Sequence, residues 1–400
     1  MRAILHPGQE RRIESGHLWV YQGNIAELAG ESGSDGAGAR DLVDVYSARG
    51  RFLGRGYYNP ASTIAIRLLT RAEEPIDRDF FLRRFAAAAA WRTRFFPQEA
   101  SYRLVYSEGD LLPGLIVDRY RDAGFGDVLV VQFLTRGMDV RRDLILSALC
   151  EAFAPAAIVE RSDAPSRRLE GLEPRSGTVY GALPDRPLVI EEHGLSIEVD
   201  VAAGQKTGYF FDQKENREAL APLVAGAGVL DAFCHTGSFA LHAAAYGARH
   251  VFAFDQSAEA VEIARRNAAR NGFSERCEFA VANAFDLLRA FERQRRSFDV
   301  VILDPPAFAK GKASVEAAVR GYKEINLRAI KLLAPGGFLI TCSCSHHIGP
   351  DLFFATVHEA AVDARRRLRL VESRTQAKDH PILPGLPETA YLKCLIFAVV

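Results

Sequence analysis

Asp304 and Cys344 are the two side chains whose type and placement could do covalent chemistry on a heterocycle. Leu303-Asp304-Pro305-Pro306-Ala307-Phe308 reads as the end of a buried strand, Phe298 to Leu303, that delivers a carboxylate into a stiff turn. Further along, Thr341-Cys342-Ser343-Cys344-Ser345 closes a second apolar run, Phe338 to Ile340, and delivers a thiol. In an open parallel sheet the ligand crevice lies beyond the carboxyl ends of the strands. A thiolate there could add to a pyrimidine ring while a carboxylate polarises it. The chemistry this pair suggests is methyl transfer to a base carbon, provided the chain also holds a site for a methyl donor.

Such a site is legible upstream. Gly228-Val229-Leu230-Asp231-Ala232-Phe233 is a short apolar strand, and Cys234-His235-Thr236-Gly237-Ser238-Phe239 is a turn opening a helix through Ala240–Ala245. A second strand, His250 to Phe254, ends at Asp255. An acid at that point of a βαβ unit is placed to bind ribose hydroxyls. Gly237 permits close approach of backbone to a ligand, and free amides at a helix start favour a carboxylate. A dinucleotide fingerprint needs Gly-x-Gly-x-x-Gly, and this loop has one of those glycines. A nucleoside ligand without phosphates fits better, and S-adenosylmethionine is one: ribose for Asp255, methionine carboxylate for the loop.

Elements must carry these residues, and the chain is long enough to build them. Four hundred residues with 48% apolar content suggest two or three domains with real cores. Fifty acids balance fifty bases, so no global polycation announces nucleic acid, although a local basic surface suffices for that. Six Cys without paired spacing argue against a disulfide framework or a zinc site and predict a reducing, cytoplasmic setting. No long apolar run or signal-peptide core is present, so no membrane is expected. Residues 1–72 show short strand-like runs (His17–Val20, Leu42–Tyr46, Ile64–Leu69) and turns such as Ser32–Gly38, which predict a β-rich domain. An Ala-rich helix is expected over Asp77–Arg94. A middle α/β segment follows to residue 187, with strands at Leu115–Val117, Val128–Phe133 and Ala157–Val159 and a helix near Val140–Phe153. From Leu188 to 400, strand and helix alternate as in a doubly wound sheet.

Taken together these motifs resemble one family. Gln9-Glu10-Arg11-Arg12 through Gly16-His17-Leu18-Trp19-Val20-Tyr21, Gly54-Arg55-Gly56-Tyr57-Tyr58-Asn59-Pro60, Ser107-Glu108-Gly109-Asp110, Pro113 to Tyr120, Gly204 to Gln213 and Asp304-Pro305-Pro306 occur in order. Their sequence is similar to that of the class I S-adenosylmethionine-dependent ribosomal RNA methyltransferases of the RlmI type, which make 5-methylcytosine in 23S rRNA. The resemblance covers essentially the whole chain. It implies an α/β fold: a Rossmann-like class I methyltransferase domain (188–400) preceded by a β-rich PUA-like RNA-binding domain (1–72) and a small α/β middle domain (73–187). It implies S-adenosyl-L-methionine as cofactor and 23S ribosomal RNA as partner, with neither metal nor membrane; oligomeric state is left open, a homodimer among the options.

Position by position, the resemblance puts Asp231, Phe233 and Gly237 in the donor loop and Asp255 on the ribose. Asn283 and Ala284 fall at the adenine, where the family usually has Asp. Phe211, Asp212 and Arg217 fall in the segment closing over the donor. Asp304 falls at both donor and base, and Cys344 at the nucleophile. The family nucleophile is the seventh residue after Gly336-Gly337, which selects Cys344 over Cys342, the fifth. Alternation cannot separate the two, since residues two apart share a strand face. The position after Pro306 is Ala307, not Cys, so a one-cysteine cycle is implied.

C5 of cytosine is too weak a nucleophile for a sulfonium methyl; addition of a thiolate to C6 activates it. An ordinary thiol needs a helix end or cation to ionise, and His346 and His347 are the sequence candidates. Lys310, Lys312, Arg320 and Lys323 are candidate RNA phosphate contacts, weighed against an ordinary solvated helix face. Arg161, Ser162 and Arg167 read as a polar face of the middle segment open to RNA. Residues 1–72 hold nine Arg against seven acids, too slight an excess to establish RNA binding. Three rivals remain at this point: a methyltransferase for guanine N7 or an exocyclic amine, an RNA-binding protein that holds the donor without using it, and a Rossmann oxidoreductase. The first needs no thiol, and the last lacks its glycines.

Overall fold

The computed structural model describes residues 1–30, 41–202, 204, 207–309 and 311–400. The turn expected at Ser32–Gly38, Gln205, Lys206, Lys310 and the Lys312 side chain lie outside what is described. The chain divides into two compact units. One comprises residues 1–190, 199–211 and 378–389, the other 191–198, 212–377 and 390–400.

The first unit holds two sheets. Residues 2–70 contribute six strands, among them Leu42–Tyr46, Phe52–Tyr58 and Ile66–Thr70. Alternation of buried Val43 and Val45 with half-buried neighbours is the signature of a sheet with one face on a core. Five further strands span 102–181, with Leu115–Asp122 paired antiparallel to Gly126–Phe133. The helix expected near Asp77 runs Arg78–Phe95, with the Asp77 side chain as its N-cap, accepting from Phe80 N. Phe80, Phe81 and Phe85 anchor it in the second sheet's core.

The second unit carries the chemistry. Its sheet has strands β1 (Gly228–Ala232), β2 (His250–Asp255), β3 (Cys277–Val281), β4 (Phe298–Leu303), β5 (Leu333–Ser343), β6 (Leu368–Arg374) and β7 (Lys393–Val399). Its longer helices are α1 (Ser238–Ala245), α2 (Ala258–Arg270), α3 (Ala284–Arg293), α4 (Val315–Leu332) and α5 (Pro350–Asp363), and a short one, Lys214–Glu218, precedes β1. The spatial order is β3-β2-β1-β4-β5-β7-β6, with β7 antiparallel to both neighbours. Val229, Leu230 and Val300–Leu303 are fully buried, as central parallel strands covered by helices on both faces must be. Strand order reverses between β1 and β4, and that switch point opens a crevice at their carboxyl ends. β5 is longer than its apolar run because it begins at Leu333 and then shifts register before Phe338. Gly337 sits in that shift because a Cβ there would meet the Asp299 carbonyl at 2.6 Å.

Candidate active site

Strand termini deliver the acids. β1 places Asp231 one residue before its end, where the side chain is completely buried and neither oxygen has a partner of hydrogen-bond geometry among the described residues. Burial raises its pKa well above the ordinary carboxylate range, the charge of Asp304 and then that of Asp255 raise it further, and the Ala240 amide opposes them. β2 ends at Asp255, whose carboxylate accepts from the His235 amide (3.0 Å) and the Ser257 amide (2.9 Å). The Asp255 carboxylate therefore ties the β1–α1 loop to the start of α2.

That loop is strained. Phe233 (φ 67°), His235 (φ 49°) and Gly237 (φ 84°) all adopt the left-handed region, which non-glycine residues enter at a cost. Such strain clusters at ligand-binding turns. Gly237 serves packing as well: a Cβ there would lie 3.0 Å from Ala264 Cβ and 3.2 Å from Phe279. The close packing this glycine permits is on α2 and β3.

At the third strand end Asn283 caps α3, its Oδ1 accepting from the amides of Phe285 (3.0 Å) and Asp286 (3.4 Å). The carbonyl assigned to adenine is thus already held by the helix. Ala284 opens that helix, and first-turn amides lack intrahelical acceptors.

The catalytic candidates lie on neighbouring parallel strands, with Leu303 of β4 in register with Thr341 of β5. Asp304 follows β4 and accepts a hydrogen bond on Oδ1 from Gln213 Nε2 at 2.9 Å. Gln213 is itself held by Asn216 Nδ2 (2.7 Å), and Asn216 accepts from Arg374 Nε (3.0 Å). Cys344 follows β5, half-buried, with Sγ 4.0 Å from the Pro305 carbonyl. Ser343 and Ser345 flank it, fully buried, and both bond the Tyr322 hydroxyl at 3.0 Å. Ser345 Oγ also accepts from the Ala309 amide (3.2 Å). The two serines thus bolt the thiol's backbone to α4 and to the loop after Pro306.

The other thiols of this unit are sealed. Cys342 is fully buried opposite Cys394 of β7, and that contact, followed by burial, pushes its pKa well above the ordinary thiol value. Burial takes Cys277 up to about 12 and, with Asp231 and Asp255, takes Cys234 well up.

The residues predicted to close over the donor have partners within the protein. Phe211 is buried in the first unit, packed on Tyr120 and Tyr209. Asp212 accepts from the Tyr391 hydroxyl. Arg217 is buried and forks onto Glu192 at 2.7 and 3.0 Å. Glu192, His193 and His242 bring ligand-type atoms within 4.8 Å of one another. Burial alone would raise the Glu192 pKa, but the charges of Arg217 and Lys214 outweigh it and hold it down at about 2. Burial takes His242 down to about 3. The cations that balance Glu192 are Arg217 and Lys214.

Arg320 is exposed on α4, whereas Lys323 is engaged by Glu359 (3.3 Å) and Asp363 (3.0 Å) of α5. The polar face expected at Arg161, Ser162 and Arg167 is internal. Arg161 donates to the Val201 and Gly204 carbonyls, Ser162 Oγ accepts from Phe133 N, and Arg167 reaches the Phe133 and Glu173 carbonyls and Asp139. Sequence reasoning treated polar residues as exposed, but these satisfy buried backbone.

Two residues at the site were missed. Gln213 lies in a quoted motif, yet only the fold brings it to Asp304. Lys393 of β7 pairs across from Ser343, and its Nζ donates to the carbonyls of Ser345 (2.8 Å) and Tyr391 (2.7 Å). His346, a sequence candidate for activating the thiol, stacks on Tyr391 (centroids 5.6 Å apart).

Comparison with known proteins agrees with this geometry. A family model described as S-adenosylmethionine-dependent methyltransferase matches residues 173–398, and a PUA-like domain model matches residues 3–71. Proteins named ribosomal RNA large subunit methyltransferase I are 44% identical in Shewanella denitrificans (100% of this chain, 99% of the relative) and 40% identical in Klebsiella pneumoniae (98% and 96%). The chain belongs to that methyltransferase family. A solved putative methyltransferase complexed with SAH shares the fold at TM-score 0.84 and 20% identity over the full length of both chains. A putative SAM-dependent methyltransferase from Streptococcus mutans does so at 0.82 and 20%, again over both full chains.

The methyltransferase's cofactor is therefore S-adenosylmethionine, and the crevice fits it. Its net positive charge matches a cluster of three acids, the buried Asp231 with Asp304 and Asp255 acting on it, and Asp255 ends β2. Among the described residues no helix is long and apolar enough to cross a membrane.

Proposed function

We propose that this methyltransferase methylates C5 of a cytosine in 23S ribosomal RNA, in the cytoplasm, through a covalent bond between Cys344 Sγ and C6 of the base. The RNA substrate is inferred from the relatives' name, ribosomal RNA large subunit methyltransferase I, and from the PUA-like domain that precedes the catalytic unit. The observation that carries the chemistry is a half-buried thiol whose sulfur lies 4.0 Å from the carbonyl next to Asp304, on adjacent strand ends at the switch point. A methyltransferase acting on a nitrogen lone pair needs no such thiol.

Asp231, Asp255, Phe233 and Gly237 hold the donor, with Asn283 and Ala284 at its adenine; the bound donor supplies an electrophilic methyl group. The Cys344 thiolate adds to C6, and the electron pair released to the ring makes C5 nucleophilic. Asp304, steadied by Gln213, donates to N3 from its protonated carboxyl, accepts from the exocyclic amine, and stabilises the charge that develops at N3. After transfer a solvent water takes the C5 proton, the C–H electron pair re-forms the C5–C6 double bond, and the C6–S bond breaks to release Cys344 as thiolate. The target base must be unstacked to enter the crevice.

The test uses labelled S-adenosylmethionine and 23S rRNA lacking its modifications. Label in 5-methylcytosine, lost in Cys344→Ala and kept in Cys342→Ala, is the expected result. Label in another base, or transfer surviving loss of Cys344, removes the covalent mechanism.

A further inference from the structure

Lys393 is a buried ammonium without a carboxylate. Its exposure is 8%, and among the described residues it makes no ion pair. Buried charges are ordinarily paired or coordinated, so an isolated one needs a reason. Its two hydrogen bonds go to the carbonyls of Ser345 and Tyr391, at 2.8 and 2.7 Å, and Ser345 adjoins Cys344. The antiparallel pairing of β7 with β5 sets Lys393 opposite Ser343, the residue on the other side of the nucleophile. The ammonium is therefore clamped by backbone at the one half-buried thiol of this unit.

Resting on the reading of Cys344 as nucleophile, we propose that Lys393 is the positioning residue that holds the Cys344 sulfur as a thiolate. Burial draws the Lys393 pKa down to about 8, and among the described residues the titratable group acting against that is Cys344, which pulls it upward. A lysine pulled upward by a thiol pulls that thiol downward by the same coupling. The ammonium is charged below about pH 8, where the attacking thiolate is needed, and its influence fades as pH rises through that value. On ionisation the thiol proton passes to solvent and Lys393 keeps its three hydrogens. Two of those are committed to carbonyls, so the protonated amine is a source of field, not a base for the C5 proton.

Other titratable groups face the same place. Asp304 approaches from the end of β4, Tyr322 from α4, His346 from the nucleophile's own loop, and Cys342 and Cys394 from β5 and β7. Asp304 and the thiols oppose a thiolate, and Tyr322 is kept neutral by burial. His346 is the rival cation, and the experiment must separate it.

The test needs neither RNA nor donor. Iodoacetamide alkylation of Cys344 is followed by peptide mapping from pH 5.5 to 9.5 in the wild-type chain, Lys393→Met, Lys393→Gln, Lys393→Arg and His346→Gln. Lys393→Gln retains a donor for the two carbonyls without the charge, and covers the case in which Lys393→Met does not fold. The wild-type midpoint is expected below the ordinary thiol value of about 8.5. Both neutral variants raise it by about one unit and slow alkylation at pH 7 roughly tenfold. Lys393→Arg and His346→Gln leave it in place. An unchanged midpoint in the neutral variants, or a shift in His346→Gln instead, overturns the assignment. Loss of methylcytosine formation with an intact Lys393-dependent midpoint would count against the C5 reading alone.

Discussion

At the scale of single residues, Asp231 is a liability until the donor arrives. Its pKa is raised by burial, with Asp304 and Asp255 adding to the shift, so the folded chain holds that proton more tightly than the unfolded chain does. For a carboxyl of this kind the stabilising contribution is complete below the unfolded pKa and is lost as pH rises through the folded one. Asp231→Asn is therefore expected to raise the melting temperature of the ligand-free protein at pH 7 and to change it little at pH 4. The same variant should lose donor affinity by calorimetry, because the carboxylate that a cationic ligand would repay is gone. A ligand-free melting temperature that falls equally at both pH values would refute the argument. Asp231, Asp255, Asp304 and Cys344 were legible because each follows an apolar run at a strand end. Gln213 and Lys393 were not, because a glutamine in a polar motif and a lysine in an apolar strand acquire meaning only through partners 91 and 48 residues away.

Elements explain how these side chains are aimed. The β1–α1 loop holds three left-handed residues and packs tightly on α2, and Gly237 meets both demands. Gly237→Ala would force a methyl group to within about 3 Å of Ala264 and strain φ, at a cost of 1–2 kcal/mol for the backbone alone. Donor affinity is expected to fall by about tenfold while Cys344 alkylation is untouched; equal affinity in the two proteins would dismiss the loop's strain as incidental. On the opposite wall, the chain Arg374–Asn216–Gln213–Asp304 orients the carboxylate. Removing a hydrogen bond to a charged group is worth about 1.5–3 kcal/mol. Gln213→Ala should accordingly lower kcat by roughly ten- to a hundredfold with donor affinity preserved; a change confined to KM would assign Gln213 to binding instead. The periodicity of the sequence located these strands and helices well. It could not show the register shift before Phe338 or the Ser343–Tyr322–Ser345 bolt, since both depend on what lies across the sheet.

For the whole molecule, the chain's path matters more than its composition. After β6 the chain re-joins the first unit over residues 378–389 and only then returns to form β7, which carries Lys393. Within the first unit that segment is anchored by Arg92, which is fully buried and donates to the carbonyls of Arg103 (2.8 Å) and Asp379 (2.6 Å) and to Asp110. Trp91 Nε1 donates to the Lys378 carbonyl (2.7 Å), and Asp379 accepts from the Arg103 amide (3.0 Å). No sequence pattern announces such a return, because its partners lie some 287 residues apart. Arg92 stands in an Ala-rich helix where an arginine ordinarily faces water, and its burial is matched by acceptors on the Arg103, Asp379 and Ala88 carbonyls and the Asp110 carboxylate. Arg92→Met should therefore be destabilising by about 3–5 kcal/mol, because Asp110 is left as a buried charge without its partner. Thermal unfolding is the measurement. A double variant, Arg92→Met with Asp110→Leu, should recover much of the loss, since replacing both partners by apolar groups removes the uncompensated charge. If the double variant is no better than Arg92→Met, the carbonyls of Arg103 and Asp379 are what Arg92 satisfies, and the anchor of the returning segment is backbone recognition, with the ion pair secondary.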